Sequence, residues 1–483
     1  MFLYPHYRSP LRFLPDPNDG HFMLGQTLKF IRADSANDLP LNFMRRFLDA
    51  PLIRYTHIGG AEWILVNSVQ AVRDIYQSKC YEFVKPSYFR RITGEIAGIG
   101  LVNAEGDIHR QERKLMNGKL ANSRSRTSAN LAEGAFKLAN IKKLVPVFNA
   151  KASALSCSIG ASLSSCDNEA IDVCDVFQKS TFGVISLATL GIESATLDTP
   201  QLPFSELYRR ILDQEPAGIT LSLINTFIPI RWIPLKANQD FLNANKEVRQ
   251  LLRETIRSRI SEIQRVGYGG QRKNIMQQFT EEGSQDLLSF MLYERGGGED
   301  RWSEDEILGH VKILASIPHN APPSYAELES LPYLAAFAKE VVRCFSPITF
   351  NARTPVKDTT VCDTVIPAGT TILITPQVLN SHPTIWGPDA ERFDPDRHLP
   401  DDTRGELFPL SRDPFAMASF GNGPRICIGK AFGLLQMKSM LVELLRNFEL
   451  QRENDVFGGV KVKNYMHLKP KGAIWVKFKP LSS

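Results

Sequence analysis

The sequence carries little net charge for its length. Its 57 lysines and arginines, set against 52 aspartates and glutamates, leave a formal charge of +5 over 483 residues. A protein whose main partner is a phosphate backbone usually concentrates far more positive charge, so we expect no nucleic-acid partner. Hydrophobic residues make up 43% of the chain and charged residues 23%. This balance excludes disordered and low-complexity classes and indicates a globular protein with a sizeable core.

Paired cysteine motifs are also missing. The seven cysteines are an odd number and contain no Cys-x-x-Cys, which argues against a secreted disulfide framework, a zinc ribbon and a covalently attached c-type haem. The first 14 residues interrupt their apolar side chains with Arg8, Pro10 and Arg12, a pattern that predicts neither a signal peptide nor a membrane span. We therefore expect a reducing compartment and no membrane anchor in this chain.

Helical periodicity dominates the middle of the chain. Apolar residues recur at helical spacing from 244 to 263, and again from 434 to 448 directly after a cysteine. Strand character is confined to a hairpin at 52–66, to 370–375 and to the alternating positions 474–478. No repeat or long linker divides the chain. The pattern predicts one large domain, mainly α with a small β-sheet region built from both ends of the chain.

The most informative stretch is the loop Phe420-Gly-Asn-Gly-Pro-Arg-Ile-Cys-Ile-Gly429. Gly421 and Gly423 permit positive φ, so the loop can turn tightly. Cys427 lies at the start of a predicted helix, two residues after Arg425, and both the helix dipole and the cation favour its thiolate. A lone cysteine is more often a small buried hydrophobe, but the glycines favour a loop that holds an ionised sulfur. The third glycine of a dinucleotide-binding fingerprint is absent.

This loop resembles the haem-binding signature of the cytochrome P450 family, the haem-thiolate monooxygenases. The resemblance implies the cytochrome P450 fold over residues 1–483 and haem b (iron protoporphyrin IX) as cofactor. It further implies that Cys427 is the axial ligand of the iron, since a thiolate pushes electron density onto haem iron. The other cofactor-binding positions that it implies in this loop are Phe420, Gly421, Arg425 and Gly429.

Two further runs are similar to landmarks of the same family. Glu340 and Arg343, three residues apart on a predicted helix, resemble its Glu-x-x-Arg motif, and Ala390-Glu-Arg-Phe393 resembles its second arginine motif. Together they imply a structural triad of Glu340, Arg343 and Arg392. A buried charge triad is costly unless every member is paired, so the loss of one member should be severe.

The resemblance also implies residues that contact the haem propionates. Gly106 to Lys114 is similar to the C-helix of the family, which assigns propionate contacts to His109 and Arg113; Arg353 falls where family members place a propionate-binding arginine. Taken without the other motifs, the run from 106 to 114 is equally typical of a solvated basic helix.

Two segments depart from the family pattern. Residues 118–134 are an insertion rich in Ser, Ala, Asn and Arg, and the distal helix that begins near Ser303 ends at Pro318, because proline cannot continue it. The acid and alcohol pair of that helix is absent, Ser316 and His319 being poor substitutes, so the catalytic residues stay unknown. The distal helix and the helices after it are therefore deleted from about residue 316. We interpret both departures as errors of the gene model; the alternative is a degenerate family member.

By resemblance, the predicted function is a monooxygenase that inserts one oxygen atom from O2 into a small to mid-sized apolar organic substrate. Electrons would come from an NADPH-cytochrome P450 reductase, and we expect a monomer. Similarity to fungal microsomal members implies association with the cytosolic side of the endoplasmic reticulum, or a cytoplasmic protein if the chain without an anchor is complete. The alternatives are a truncated haem-thiolate protein that acts as a ligand binder, an isomerase or a peroxide user, and a non-haem helical scaffold.

Overall fold

The computed structural model describes residues 4–97, 100–116, 136–165, 170–190, 228–267, 322–400, 402–452, 462–464, 468–470 and 474–481, with single positions between 210 and 225. The predicted insertion at 118–134 and the predicted distal helix from Ser303 to Pro318, with Ser316, lie outside these ranges, as does His319.

Helices make up most of the described chain, and the two long apolar periods read from the sequence each form one helix. They are α1 Tyr4–Tyr7, α2 Thr27–Arg32, α3 Asp38–Arg46, α4 Val69–Arg73, α5 Ser87–Ala97, α6 Gly106–Met116, α7 Leu138–Lys142, α8 Val145–Ser165, α9 Val173–Leu190, α10 Lys236–Gly267, α11 Tyr325–Glu329, α12 Pro332–Cys344, α13 Pro376–Asn380, α14 Pro383–Trp386, α15 Arg404–Leu407 and α16 Lys430–Asn447. Short 3-10 turns include Pro395–His398 and Gly423–Arg425.

The strands are short and form separate small sheets. They are β1 Leu52–Thr56, β2 Glu62–Val66, β3 Phe83–Val84, β4 Ala170–Asp172, β5 Asn351–Pro355, β6 Thr359–Val361, β7 Thr364–Ile366, β8 Thr371–Ile374, β9 Phe448–Arg452, β10 Val462–Asn464, β11 Leu468–Pro470 and β12 Trp475–Pro480. The largest sheet has the order β1-β2-β8-β5-β3, in which the antiparallel hairpin β1–β2 pairs in parallel with β8. A second sheet has the order β4-β12-β9, and β6–β7 and β10–β11 are two-stranded.

The prediction of one sheet built from both ends of the chain holds for the hairpin and for β8, which pair with each other, but is wrong for the C-terminal strand. The C-terminal strand β12 pairs with β9 and β4, not with the N-terminal hairpin. The reason is packing, because Phe478 of β12 meets Phe448 edge-on with ring centroids 5.6 Å apart, in a core cluster shared with α8 and α16. The hairpin instead buries Leu52 and Ile64 in a different cluster with β8.

The loop that contains the cysteine joins two hydrophobic cores. Before the loop, Ala416 and Ala418 are buried in the cluster around the largest sheet. After it, Phe432 and Leu435 of α16 are buried in the helical cluster against α8, where Phe148 meets Phe432 edge-on at 4.9 Å. Both ends of the loop are therefore fixed by core packing, which gives the segment between them a defined position.

Candidate functional site

The cysteine loop closes on itself through a backbone hydrogen bond. The N–H of Cys427 donates to the carbonyl oxygen of Phe420 at 2.7 Å. Gly421 and Gly423 have φ of 65° and 61°, in the left-handed region. A Cβ added to Gly423 would lie 2.1 Å from the carbonyl oxygen of Tyr76, so only glycine fits there. Cys427 itself is exposed and takes part in no disulfide.

The start of α16 follows the cysteine directly. Gly429 is the N-cap of α16 and lies two residues after Cys427, so the dipole of the helix favours the thiolate. Arg425 is engaged elsewhere, because its guanidinium donates to the carbonyl oxygen of Ala104 at 3.2 Å and pairs with the carboxylate of Glu105. The contribution of Arg425 to the sulfur is therefore smaller than the sequence spacing predicts.

Glu105 pairs with Lys85 and Arg425 within a group of basic residues that we call the cationic cluster. Its other members are Arg353, whose charge acts on Lys85, and the neighbouring His109 and Arg113. The Lys85 ammonium lies 3.3 Å from the Glu105 carboxylate. Arg353 is 5% exposed. The side chain of Arg425 is 3% exposed, and its Nε has no hydrogen-bond partner among the described residues. One carboxylate thus neutralises only part of the positive charge of the cluster. Because buried charges need counter-charges, the cluster favours an anionic ligand.

Burial and, after it, the nearby cations lower the pKa of two members of this cluster. Burial, together with the charges of nearby cations such as Arg113, lowers the pKa of His109 to about 4. Burial, followed by the charge of Arg353, lowers the pKa of Lys85 to about 8. His109 is therefore neutral at physiological pH, and its Nδ1 lies 3.3 Å from the hydroxyl oxygen of Tyr81. A negatively charged group beside the cluster would relieve both shifts.

A second charge cluster surrounds Glu340 on α12. The side chains of Glu340 and Arg343 are fully buried, and Arg343 donates to both carboxylate oxygens at 2.7 Å. Arg397 donates to the same carboxylate at 3.1 Å, His398 lies 3.0 Å from it, and the Asp394 N–H donates at 2.8 Å. Burial alone would raise the pKa of Glu340, but hydrogen bonds from Arg343 and His398 outweigh it and hold that pKa well below its usual range.

The assignment of Arg392 to this cluster is corrected by the structure. Arg392 is exposed, and its carbonyl oxygen, not its guanidinium, reaches the cluster by accepting from Arg343 at 2.9 Å. Arg397, with its side chain 3% exposed, takes the predicted place. The 3-10 turn Pro395–His398 packs against α12 and directs Arg397 and His398 inward. The run Asp396-Arg397-His398 has a similar pattern of an acid followed by an arginine, and its arginine lies five residues after Arg392.

Sequence reasoning missed two members of the site. Lys85 and Glu105 flank α5, one before it and one after it, and their side chains meet because the chain leaves and returns to the same place. No local motif marks either residue. The predicted residues Arg353, Arg425 and His109 are brought into this group, whereas Phe420, Gly421 and Gly429 lie in the loop around Cys427.

The residues present fit haem b. Such a group needs one axial ligand for its iron and cations for its two carboxylates. The exposed Cys427 supplies a thiol, and the cationic cluster supplies positive charge in excess, including the buried Nε of Arg425, which has no partner in the part of the chain that the structure describes. A sequence model of the family described as Cytochrome P450 matches residues 15–316 and 305–471.

The chain belongs to the cytochrome P450 family. Its mainly helical single domain with small sheets is the fold of that family, its cofactor is haem b, and the protein is an oxidoreductase of the monooxygenase class. The two matched stretches overlap at residues 305–316, and the first of them ends at 316, where the sequence predicts the distal helix to be interrupted.

Curated relatives agree with this assignment. The chain is 26% identical to Cytochrome P450 monooxygenase sphH of Aspergillus fumigatus, over 100% of this chain and 90% of the relative. It is 28% identical to Cytochrome P450 monooxygenase FUM15 of Gibberella moniliformis, over 94% and 85%, and 24% identical to Cytochrome P450 94B3 of Arabidopsis thaliana, over 84% and 83%. Within the described ranges, no helix is both long and apolar enough to cross a membrane.

Proposed function

We propose that this cytochrome P450 inserts one oxygen atom from O2 into a small to mid-sized apolar organic substrate, with Cys427 as the axial ligand of its haem. The observation that carries the proposal is the exposed Cys427 at the end of a loop closed by the Phe420 carbonyl and fixed by two glycines. Haem b ligated by a thiolate supplies the activation of dioxygen.

The residues of the chain have separate roles in this proposal. Cys427 holds the iron, and Arg353, Arg425, Arg113 and His109 bind the propionates. His109 would contribute an imidazole N–H donor, and a bound carboxylate would relieve the lowering of its pKa. Bound carboxylates would neutralise the excess charge of the cationic cluster and satisfy the Nε of Arg425.

The second charge cluster has a structural role. The Glu340 carboxylate binds Arg343 on its own helix and Arg397 on the turn that leads towards the cysteine loop. It therefore fixes α12 against the segment that precedes Cys427. We assign the triad as Glu340, Arg343 and Arg397, with His398 as a fourth member.

We further propose an NADPH-cytochrome P450 reductase as electron donor. A groove of about 440 Å³ beside the cysteine loop is lined by Lys339, Arg412 and Lys430, along with Asp402 and Asp413. Its basic excess suits an acidic partner surface, because complementary charge speeds association. Such a donor would place the protein at the cytosolic side of the endoplasmic reticulum, and we expect it to act there as a monomer.

The test is spectroscopic first and catalytic second. Reduced protein with carbon monoxide should show the red-shifted Soret band of a thiolate-ligated haem, and Cys427→Ser should abolish that band. Turnover of apolar substrates should then require NADPH and the reductase together. A thiolate band that survives in Cys427→Ser would overturn the ligand assignment. Turnover with peroxide alone would favour the truncated haem-thiolate protein over the monooxygenase.

A further inference from the structure

A buried asparagine connects α12 to the cysteine loop. Asn380, the last residue of α13, is 0% exposed. Its side-chain amide donates to the carbonyl oxygen of Arg343 at 2.9 Å and to the hydroxyl of Ser419 at 2.7 Å. Its side-chain oxygen accepts from the Ala418 N–H at 3.2 Å. Both N–H donors and the oxygen of the carboxamide are therefore hydrogen-bonded, and their partners lie on α12 and on the segment that precedes the cysteine loop.

The Ser419 hydroxyl extends this connection. It accepts from Asn380 and donates to the carbonyl oxygen of Val342 at 2.8 Å. The carbonyls of Val342 and Arg343 belong to the last turn of α12, where helix carbonyls have no partner within the helix. Asn380 and Ser419 together satisfy them. Because Ser419 immediately precedes Phe420, whose carbonyl accepts from Cys427, a short chain of contacts runs from α12 to the cysteine.

We propose that Asn380 is a positioning residue for the Cys427 sulfur, one that holds the cysteine loop at a fixed distance from α12 so that the thiolate stays on the iron. This inference rests on the proposed role of Cys427 as axial ligand. Asn380 acts through Ser419 and Phe420.

The chemistry of the position requires a neutral amide. Two acceptors and one donor surround the side chain of Asn380, and only a carboxamide presents two N–H donors and one oxygen at this size. Aspartate has the same shape but would set a carboxylate oxygen against the carbonyl of Arg343. The loop segment at Ala418 and Ser419 would then lose its connection to the Arg343 carbonyl and keep only the Ser419 contact with Val342. A displaced thiolate is more readily protonated and lost as a ligand.

Asn67 provides a matched control. It is 2% exposed, directly follows β2, and its amide also donates two hydrogen bonds, to the carbonyl oxygens of Phe47 at 3.0 Å and Ala50 at 2.9 Å. Asn67→Asp therefore removes two comparable hydrogen bonds from a buried amide in another part of the fold. A role for Asn380 in general stability alone would make the two variants equivalent in every readout.

The experiment compares haem-loaded wild type, Asn380→Asp, Ser419→Ala and Asn67→Asp. For each protein, we would measure the urea midpoint of unfolding and the ratio of thiol-type to thiolate-type Soret absorbance in the reduced carbon monoxide complex. We expect both aspartate variants to unfold at lower urea concentration, but only Asn380→Asp to raise the ratio at least tenfold. Ser419→Ala removes one link of the bridge and should raise the ratio to an intermediate value, even if Asn380→Asp does not fold.

Two results would overturn parts of this reasoning separately. A wild-type ratio in Ser419→Ala and in folded Asn380→Asp, or an equal rise in Asn67→Asp, would refute the positioning role alone. A wild-type protein without any thiolate band would refute the ligand assignment of Cys427, and the role of Asn380 with it.

Discussion

Replacement of Glu340 by glutamine keeps the shape of the side chain and removes its charge. Arg343 and Arg397 would then lose the buried carboxylate that both of them bind. Breaking a buried ion pair by changing one partner costs about 3–5 kcal/mol, because the remaining charge is left uncompensated. The Asp394 N–H can still donate to the amide oxygen. The amide nitrogen cannot accept from the Arg343 Nε, so the loss combines the charge with a hydrogen bond. Against a total stability of about 5–15 kcal/mol, the change is large.

Urea denaturation followed by circular dichroism measures this loss, and a surface glutamate gives the control. Glu391 pairs with Arg45 where the two side chains are 59% and 52% exposed, so Glu391→Gln should cost less than about 1 kcal/mol. We expect Glu340→Gln to reduce the free energy of unfolding several times more and to lower haem content. Equal losses in the two variants would refute the claim that the Glu340 charge stabilises the fold.

The same carboxylate predicts a pH dependence. Because its pKa is lowered in the folded protein, the stabilisation that it provides is complete above the ordinary glutamate pKa of about 4.3 and declines as the pH falls below that value. Glutamine does not titrate. The difference in unfolding free energy between wild type and Glu340→Gln should therefore narrow in acid, and a difference that stays constant below pH ~4 would contradict the assignment.

Three further predictions concern the turn, the loop and the cationic cluster. Arg397→Ala should reduce the free energy of unfolding severely and Arg392→Ala by less than about 0.5 kcal/mol. A larger loss in Arg392→Ala than in Arg397→Ala would support Arg392 as the third member of the triad. Gly369 has φ of 82° and no atom within 4 Å of an added Cβ, so Gly369→Ala should cost only about 1–2 kcal/mol of strain, whereas Gly423→Ala also collides with Tyr76 and should unfold at much lower urea. Because the pKa of Lys85 is lowered to about 8, the free energy of unfolding of the haem-free protein should increase as the pH rises from about 8 to about 10.4. If that free energy changes with pH in the same way in wild type and in Lys85→Met, the prediction is wrong.

Local sequence patterns predict the elements of this fold better than their partners. The period of apolar residues identifies α10 and α16, because a helix needs only its own residues to form an apolar face. The alternation at 474–478 likewise identifies β12, but it says only that one face is buried. Its pairing with β4 and β9 depends on the packing of Phe478 against Phe448, which no residue of the strand reveals.

The candidate site divides in the same way. The cysteine loop is legible from the sequence because its glycines and its cysteine lie within ten residues. The sequence does not decide whether Arg392 or Arg397 pairs with Glu340, because this depends on the direction in which a 3-10 turn points its side chains. Glu105 and Lys85 lie on either side of α5 in the sequence, and their contact depends on how the chain folds and not on a local motif.

The parallel pairing of β2 with β8 has a consequence for synthesis of the protein. Trp63 is opposite Thr371, so the hairpin leaves the ribosome long before the strand that completes its sheet exists. During that interval the edge of β2 exposes unpaired backbone groups, and such edges recruit other chains. Sequence-distant pairing is also slow to form. Recombinant yield should therefore depend on translation rate and on chaperones that shield a nascent β-edge.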